Sequence, residues 1–143
     1  MVDVQRTFTV NKPIGTVVEY LADFSHAQAW DPGTVSCTST DSGPVQVGST
    51  WHNVSEIKGH QTELTYTLKR WEDDHLTFVG ENNSATSTDD LTFVAEGERT
   101  TITYRAVIEF HGLAKVIGMF AHPEFEKLGD ATEKQLTSTL EGL

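Results

Sequence analysis

The chain has 143 residues, enough for one ordinary domain with a sizeable core and too few for two. Its 37% hydrophobic and 22% charged residues are those of a globular protein, which excludes a disordered or fibrous chain. With 10 basic and 21 acidic side chains the net charge is −11, a surface that repels nucleic-acid phosphates and anionic lipid.

The opening Met1-Val2-Asp3-Val4 lacks the basic region and apolar run of a secretory signal, and no apolar run is long enough to span a bilayer. A cytoplasmic protein with no nucleic-acid partner and no integral membrane association is therefore expected. Val2, Val4, Phe8 and Val10 alternate with polar residues at strand period, and Arg6 interrupts the apolar face. Asn11 is placed to cap a helix and Pro13 suits its first turn. Ile14, Val17, Val18 and Leu21 then follow at i, i+3, i+4 and i+7, which predicts an amphipathic helix. A second short helical piece is expected from Phe24 to Trp30, stopped by Asp31-Pro32-Gly33.

From Thr34 to Phe110 the pattern predicts six strands. Their breaks fall at Asp41 to Gly48, Lys58-Gly59-His60, Glu72-Asp73-Asp74, Glu81-Asn82-Asn83 and Glu96-Gly97-Glu98. The clearest strand carries Ile102, Tyr104, Ala106, Ile108 and Phe110 on one face, and Leu64, Tyr66 and Leu68 repeat the pattern earlier. Cys37, the single cysteine, sits in a strand-like setting and reads as a small buried hydrophobe. Gly112 to Leu143 returns to helical spacing, and Pro123 removes a backbone donor, so a kink or break is expected around His122-Pro123-Glu124.

Short connections imply antiparallel pairing, and a seven-stranded antiparallel sheet twists and leaves one apolar face to be covered. The terminal helix is the element long enough to cover it. The expectation is an α+β fold: a curved seven-stranded antiparallel sheet wrapped around a long C-terminal helix, with two short helices between strands 1 and 2 as lid and wall.

This order of elements, the opening "VQRTFTVNKPIGTVVEYLADFSHAQAW" and the later "GPVQVGSTW" resemble the START/Bet v 1-like (SRPBCC) superfamily, nearest to its bacterial polyketide cyclase/dehydrase-like proteins. The matching signals are Lys12-Pro13, the helix Ile14 to Leu21, Asp23 and the Trp30 to Pro32 corner, and the likeness runs over the whole chain as one domain, 1–143. The resemblance implies a helix-grip fold with a deep cavity for lipids, polyketides, sterols, quinones or other apolar molecules. It implies no single reaction, since the fold serves carriers and cyclases alike.

A ligand pocket is accordingly expected to be bounded by Trp30, Tyr66, Phe78, Tyr104, Ile108 and Phe120, with an entrance around Gly118 to Pro123. The hydroxyls of Tyr66 and Tyr104 need partners, either a ligand or neighbouring backbone. His52 and Glu56 share one strand face, and with His122 they are the candidates for acid–base work; periodicity alone does not say whether their face or that of Trp51, Asn53 and Ser55 points inward. The six histidines have no metal-binding spacing, and no nucleotide or serine-hydrolase motif occurs, so neither metal nor cofactor is expected. The resulting reading is a binding protein for a small apolar ligand, acting as monomer or homodimer. A cyclase or dehydratase in the same cavity is the alternative, and an interaction module with a filled interior is the third class.

Overall fold

The computed structural model of the protein describes residues 1–57, 59–112 and 122–143, without the side chains of Ile57 and His122. Strand β1 (Val2–Val10) leads into helix α1 (Ile14–Ala22), a single 3-10 turn (Phe24–His26) and the short helix α2 (Ala27–Trp30). Strands β2 (Thr34–Ser39), β3 (Thr50–Ile57), β4 (His60–Glu72), β5 (His75–Glu81), β6 (Ala85–Glu96) and β7 (Arg99–Phe110) follow, then helix α3 (His122–Glu141). They form one seven-stranded antiparallel sheet in the order β1-β7-β6-β5-β4-β3-β2. Hairpins join all neighbours from β2 to β7, and β1 closes the edge beside β7 because the helices carry the chain from one edge of the sheet to the other. Register shifts at Thr34/Ser36 and Leu68/Arg70 add bends to the twisted sheet. The six strands read from the sequence between Thr34 and Phe110 are those of the structure.

Helix α1 buries Val17, Val18 and Leu21 of the predicted stripe, with Ala22 beside them and Ile14 partly buried. The cap differs from expectation. Pro13 occupies the N-cap position with no side-chain bond, and Asn11 instead donates its backbone N–H to Glu141 Oε2 at 3.0 Å, fastening the start of α1 to the end of α3. Asp23 caps the 3-10 turn by accepting from Ser25 N at 3.0 Å, and it also accepts from Trp51 Nε1 at 3.3 Å, which ties the short helices to β3.

Helix α3 spans 20 residues, about 30 Å at 1.5 Å per residue. It packs along β1 and reaches α2, turning Phe125, Gly129, Thr132, Leu136 and Leu140 inward. Arg6, the interruption in the apolar face of β1, is what anchors it: its guanidinium donates to Asp130 Oδ1 at 2.9 Å and to the Glu126 carbonyl at 3.0 Å. The expected break at Pro123 falls one residue into α3, and the stretch before it, with Gly118 and Phe120, lies outside the described residues.

The buried side chains fall into two clusters rather than one. The larger packs α1, α2 and the C-terminal half of α3 against the sheet and contains a contiguous aromatic group. Within that group Phe24 lies 4.5 Å from the rings of both Tyr66 and Phe78, and Trp30 sits edge-on to Phe24 and Tyr104. The smaller cluster holds Val2, Val4 and Phe125, with Ile108, Phe110 and Leu128 against it. The space between them is the candidate site.

Candidate functional site

Alternation along the strands decides what faces the interior. Rows of paired residues cross the sheet at right angles to the strands: Tyr66, Gly80, Ser87, Ile108 and Val2 form one row from β4 to β1, and Leu68, Phe78, Asp89, Ala106 and Val4 form the next. From these rows Val2, Val4, Tyr66, Ser87, Asp89, Ala106 and Ile108 line a cavity of about 620 Å³, closed above by Phe125, Leu128, Gly129 and Thr132 of α3. That volume is within the range of sites for small organic ligands. Around the rim lie His60, Gln61 and Thr62 at the start of β4 and Asn82 and Ser84 between β5 and β6.

Gly80 explains the pose of Tyr66. A Cβ at this position would meet the Tyr66 ring at 2.6 Å, so only a glycine lets the ring lie flat across β5 toward Ser87 on β6. The Tyr66 hydroxyl meets the Ser87 side chain, and its titration is driven well above the ordinary tyrosine range, first by burial and then by the charge of Asp89. Tyr104 stands diagonal to Asp89 across the β6–β7 pair and donates its hydroxyl to Asp89 Oδ1 at 3.3 Å. Burial and the same carboxyl keep Tyr104 protonated too.

Asp89 is the unusual residue. It is only 4% exposed, lines the cavity, and has its pKa pushed up to about 8, chiefly by burial and then by the charge of Asp31; the hydrogen bond from Tyr104 acts the other way. Asp31, at the corner after α2, also lines the cavity. Its Oδ1 accepts from Gly33 N at 3.0 Å and its Oδ2 from the Thr34 hydroxyl at 2.9 Å, and these bonds offset in part the upward shift that burial imposes. The interior thus offers hydrocarbon on most sides and, at one end, two carboxyls, two phenols and a serine hydroxyl.

The structure divides the residues singled out in the sequence. Tyr66, Tyr104 and Ile108 line the cavity. Trp30 and Phe78 do not: at 1% and 0% exposure they belong to the aromatic group that fills the interior beside α1 and α2. His52 and Glu56 face outward, because Trp51 and Asn53 take the inner side of β3; His52 Nε2 pairs with Glu63 Oε1 at 2.9 Å on the outer surface. The expected inward His52–Glu56 pair is therefore not formed. Phe120 and the side chain of His122 lie outside the described residues. Cys37 is buried with its thiol pushed up to about 11 by desolvation, an inert packing residue. Among the described residues no group of three or more His, Cys, Asp or Glu side chains is arranged to hold a metal ion, and no helix is long and apolar enough to cross a membrane.

Sequence reading missed Asp31 and Asp89. For Asp89 a signal existed: it shares strand parity with Leu91 and Phe93, so a carboxylate stood on an apolar face just as Arg6 did on β1. Asp31 looked like a turn residue, which it also is, and nothing local shows that the corner opens onto the cavity.

A curved antiparallel sheet gripping a terminal helix over an internal cavity defines the helix-grip, START-type class of ligand-binding folds. The match to "Polyketide cyclase / dehydrase and lipid transport" extends over residues 1–141, and the chain belongs to that family. No curated protein matches the chain by sequence. Among solved structures, a START superfamily protein from Mycobacterium smegmatis is 18% identical, with a TM-score of 0.72 over 98% of this chain and 94% of that one. The Zhui aromatase/cyclase from Streptomyces sp. R1128 is 16% identical, with a TM-score of 0.73 over 97% and 93%. A STAR-related lipid transfer protein from Xanthomonas axonopodis is 12% identical, with a TM-score of 0.73 over 95% and 84%. At these identities the likeness is one of fold.

Proposed function

We propose that this protein binds a small hydrophobic or amphipathic molecule, of lipid, polyketide or quinone type, inside the cavity between the sheet and α3. The observation that carries the reading is the division of the interior: one part is packed with aromatic side chains, and beside it lies a cavity of about 620 Å³ with mostly hydrocarbon walls, a polar rim and a cluster of carboxyl and hydroxyl groups around Asp89. Burying apolar ligand surface at about 25 cal/mol per Å² supplies affinity, and Asp89, Tyr66 and Tyr104 supply orientation. The family description, which includes lipid transport, agrees with this use of the fold.

Native mass spectrometry of the protein purified from its own host tests the reading, with extraction and identification of retained molecules and a rebinding panel of lipids, quinones and polyketides. A retained or rebound ligand at one per chain is the expected result. Protein that is empty and takes up no member of the panel contradicts it.

Catalysis in the same cavity is a second reading, favoured by Asp89. A carboxyl protonated near neutral pH beside Tyr104, with a second carboxyl at Asp31, gives a proton donor and an acceptor around one space, the pair that a cyclase or dehydratase requires. Conversion of a bound poly-β-ketone by wild type, lost in Asp89→Asn while binding persists, distinguishes turnover from carriage.

A further inference from the structure

The cavity has an electrostatic character that the proposed binding role leaves unused. Among the described residues its ionisable lining groups, apart from the phenols of Tyr66 and Tyr104, are Asp31, His60, Asp89 and Glu124, and neither Lys nor Arg is among them. Glu124 is paired with Lys127 toward the outside of α3, and His60 is exposed at the rim. Among the described residues, the interior end therefore holds two carboxyls and no cation. Of the two, Asp31 has a bond on each oxygen, from Gly33 and Thr34. Asp89 has one long bond, from Tyr104 to Oδ1; its Oδ2 receives none among the described residues, although the side chain is 4% exposed and borders the void.

A carboxyl so placed is costly, because burial disfavours its charge and Asp31 opposes it further. Asparagine would fill the same volume without that penalty. What a carboxylate adds is the capacity to take a cation with directed hydrogen bonds. An anionic headgroup is opposed by Asp31 and can be met by Asp89 only in its protonated form. A neutral hydroxyl or ketone can be held by the protonated acid but draws nothing from its charge. A cation is attracted by both carboxyls, and an ammonium brings three N–H donors to the open Oδ2 and to the oxygens of Tyr66 and Ser87, with the Tyr104 ring beside it.

We infer that the polar end of the cavity receives a protonated amine, so that the ligand is a cationic amphiphile whose apolar body lies against Val2, Val4, Ile108 and Phe125. The inference rests on the reading of the cavity as a ligand site, and it names the headgroup that site selects.

The test compares decylamine, decan-1-ol and decanoic acid, which share one tail, binding to ligand-free protein by calorimetry and by displacement of a neutral apolar dye. The amine is expected to bind at least about tenfold tighter than the alcohol, and the acid more weakly than the alcohol. Because the empty site holds Asp89 protonated, uptake of an ammonium releases a proton. Amine affinity should therefore rise by up to about tenfold per pH unit between about pH 6 and about pH 8, then level off, while alcohol affinity does not rise. Among the described residues the titratable groups facing Asp89 are Asp31 from the α2–β2 corner, Tyr66 from β4 and Tyr104 from β7; His60→Gln should leave the profile unchanged, which excludes the rim histidine as its source. Asp89→Asn should bring the amine down to the affinity of the alcohol. Alcohol or acid binding as tightly as the amine, or an amine affinity flat with pH in wild type, overturns the inference while leaving the ligand site standing. Failure of all three compounds to bind overturns both.

Discussion

Asp89 and its neighbours show how much a single residue shapes this interior. Its pKa stands at about 8 in the folded protein against 3.8 for a free side chain, so between those values the unfolded chain loses a proton that the folded chain keeps. Stability is thus undiminished by this group at low pH, falls as pH rises from about 4 toward about 8 with a slope approaching about 1.4 kcal/mol per unit, and is flat above. Asp89→Asn, which cannot ionise, should exceed wild type in stability by at least about 1 kcal/mol at pH 8. The gap should close toward pH 4 in denaturant titrations; a gap that is constant or widens on acidification contradicts the assignment. At this scale the sequence was legible where alternation ran clean: Tyr66, Tyr104 and Ile108 were placed inward by period alone. It was illegible on β3, where Trp51, Asn53 and Ser55 are no more apolar a set than His52, Val54 and Glu56, and only tertiary packing turns the tryptophan in.

At the scale of elements, the seat of α3 depends on one glycine. A Cβ at Gly129 would lie 2.5 Å from Val4 Cγ1 and 3.1 Å from Arg6 Cζ, so the helix approaches β1 as closely as the backbone allows, and the Arg6–Asp130 contact depends on that approach. Gly129→Ala should therefore destabilise the protein by about 1–3 kcal/mol through overpacking, although alanine is the better helix former by about 1 kcal/mol. Gly15 on α1 is the control: nothing lies within 4 Å of a Cβ there, so Gly15→Ala should stabilise by about 0.5–1 kcal/mol. Paired melts of the two variants check this, and equal signs would contradict the close packing of α3. The strand and helix order was readable because turn residues such as Gly97, at φ 66, mark each hairpin. Arg6 and Asp89 were readable only as anomalies, since the partners of Arg6 lie about 120 residues on and what surrounds Asp89 is set by the cavity and by Asp31 rather than by its own strand.

The molecule as a whole is half filled and half hollow. The aromatic residues expected to line a pocket are split by this division: Trp30 and Phe78 join Phe24 and Trp51 in the solid half, while Tyr66 and Tyr104 border the hollow half with Val2, Val4, Ala106 and Ile108. Periodicity alone did not separate Phe78 from the two tyrosines, because all three share the inner face of the sheet and which end of it is filled depends on where α1 and α2 dock. The account stands or falls on the hollow half taking up a ligand. Its most direct measurement is titration of a neutral apolar fluorescent probe into wild type, Ala106→Trp, which fills the cavity from β7, and Val94→Trp, which adds the same side chain on the exposed outer face. Saturable binding by wild type and Val94→Trp at one probe per chain, with at least about tenfold weaker binding by folded Ala106→Trp, is the predicted result. Equal binding by all three, or none by wild type, would contradict it.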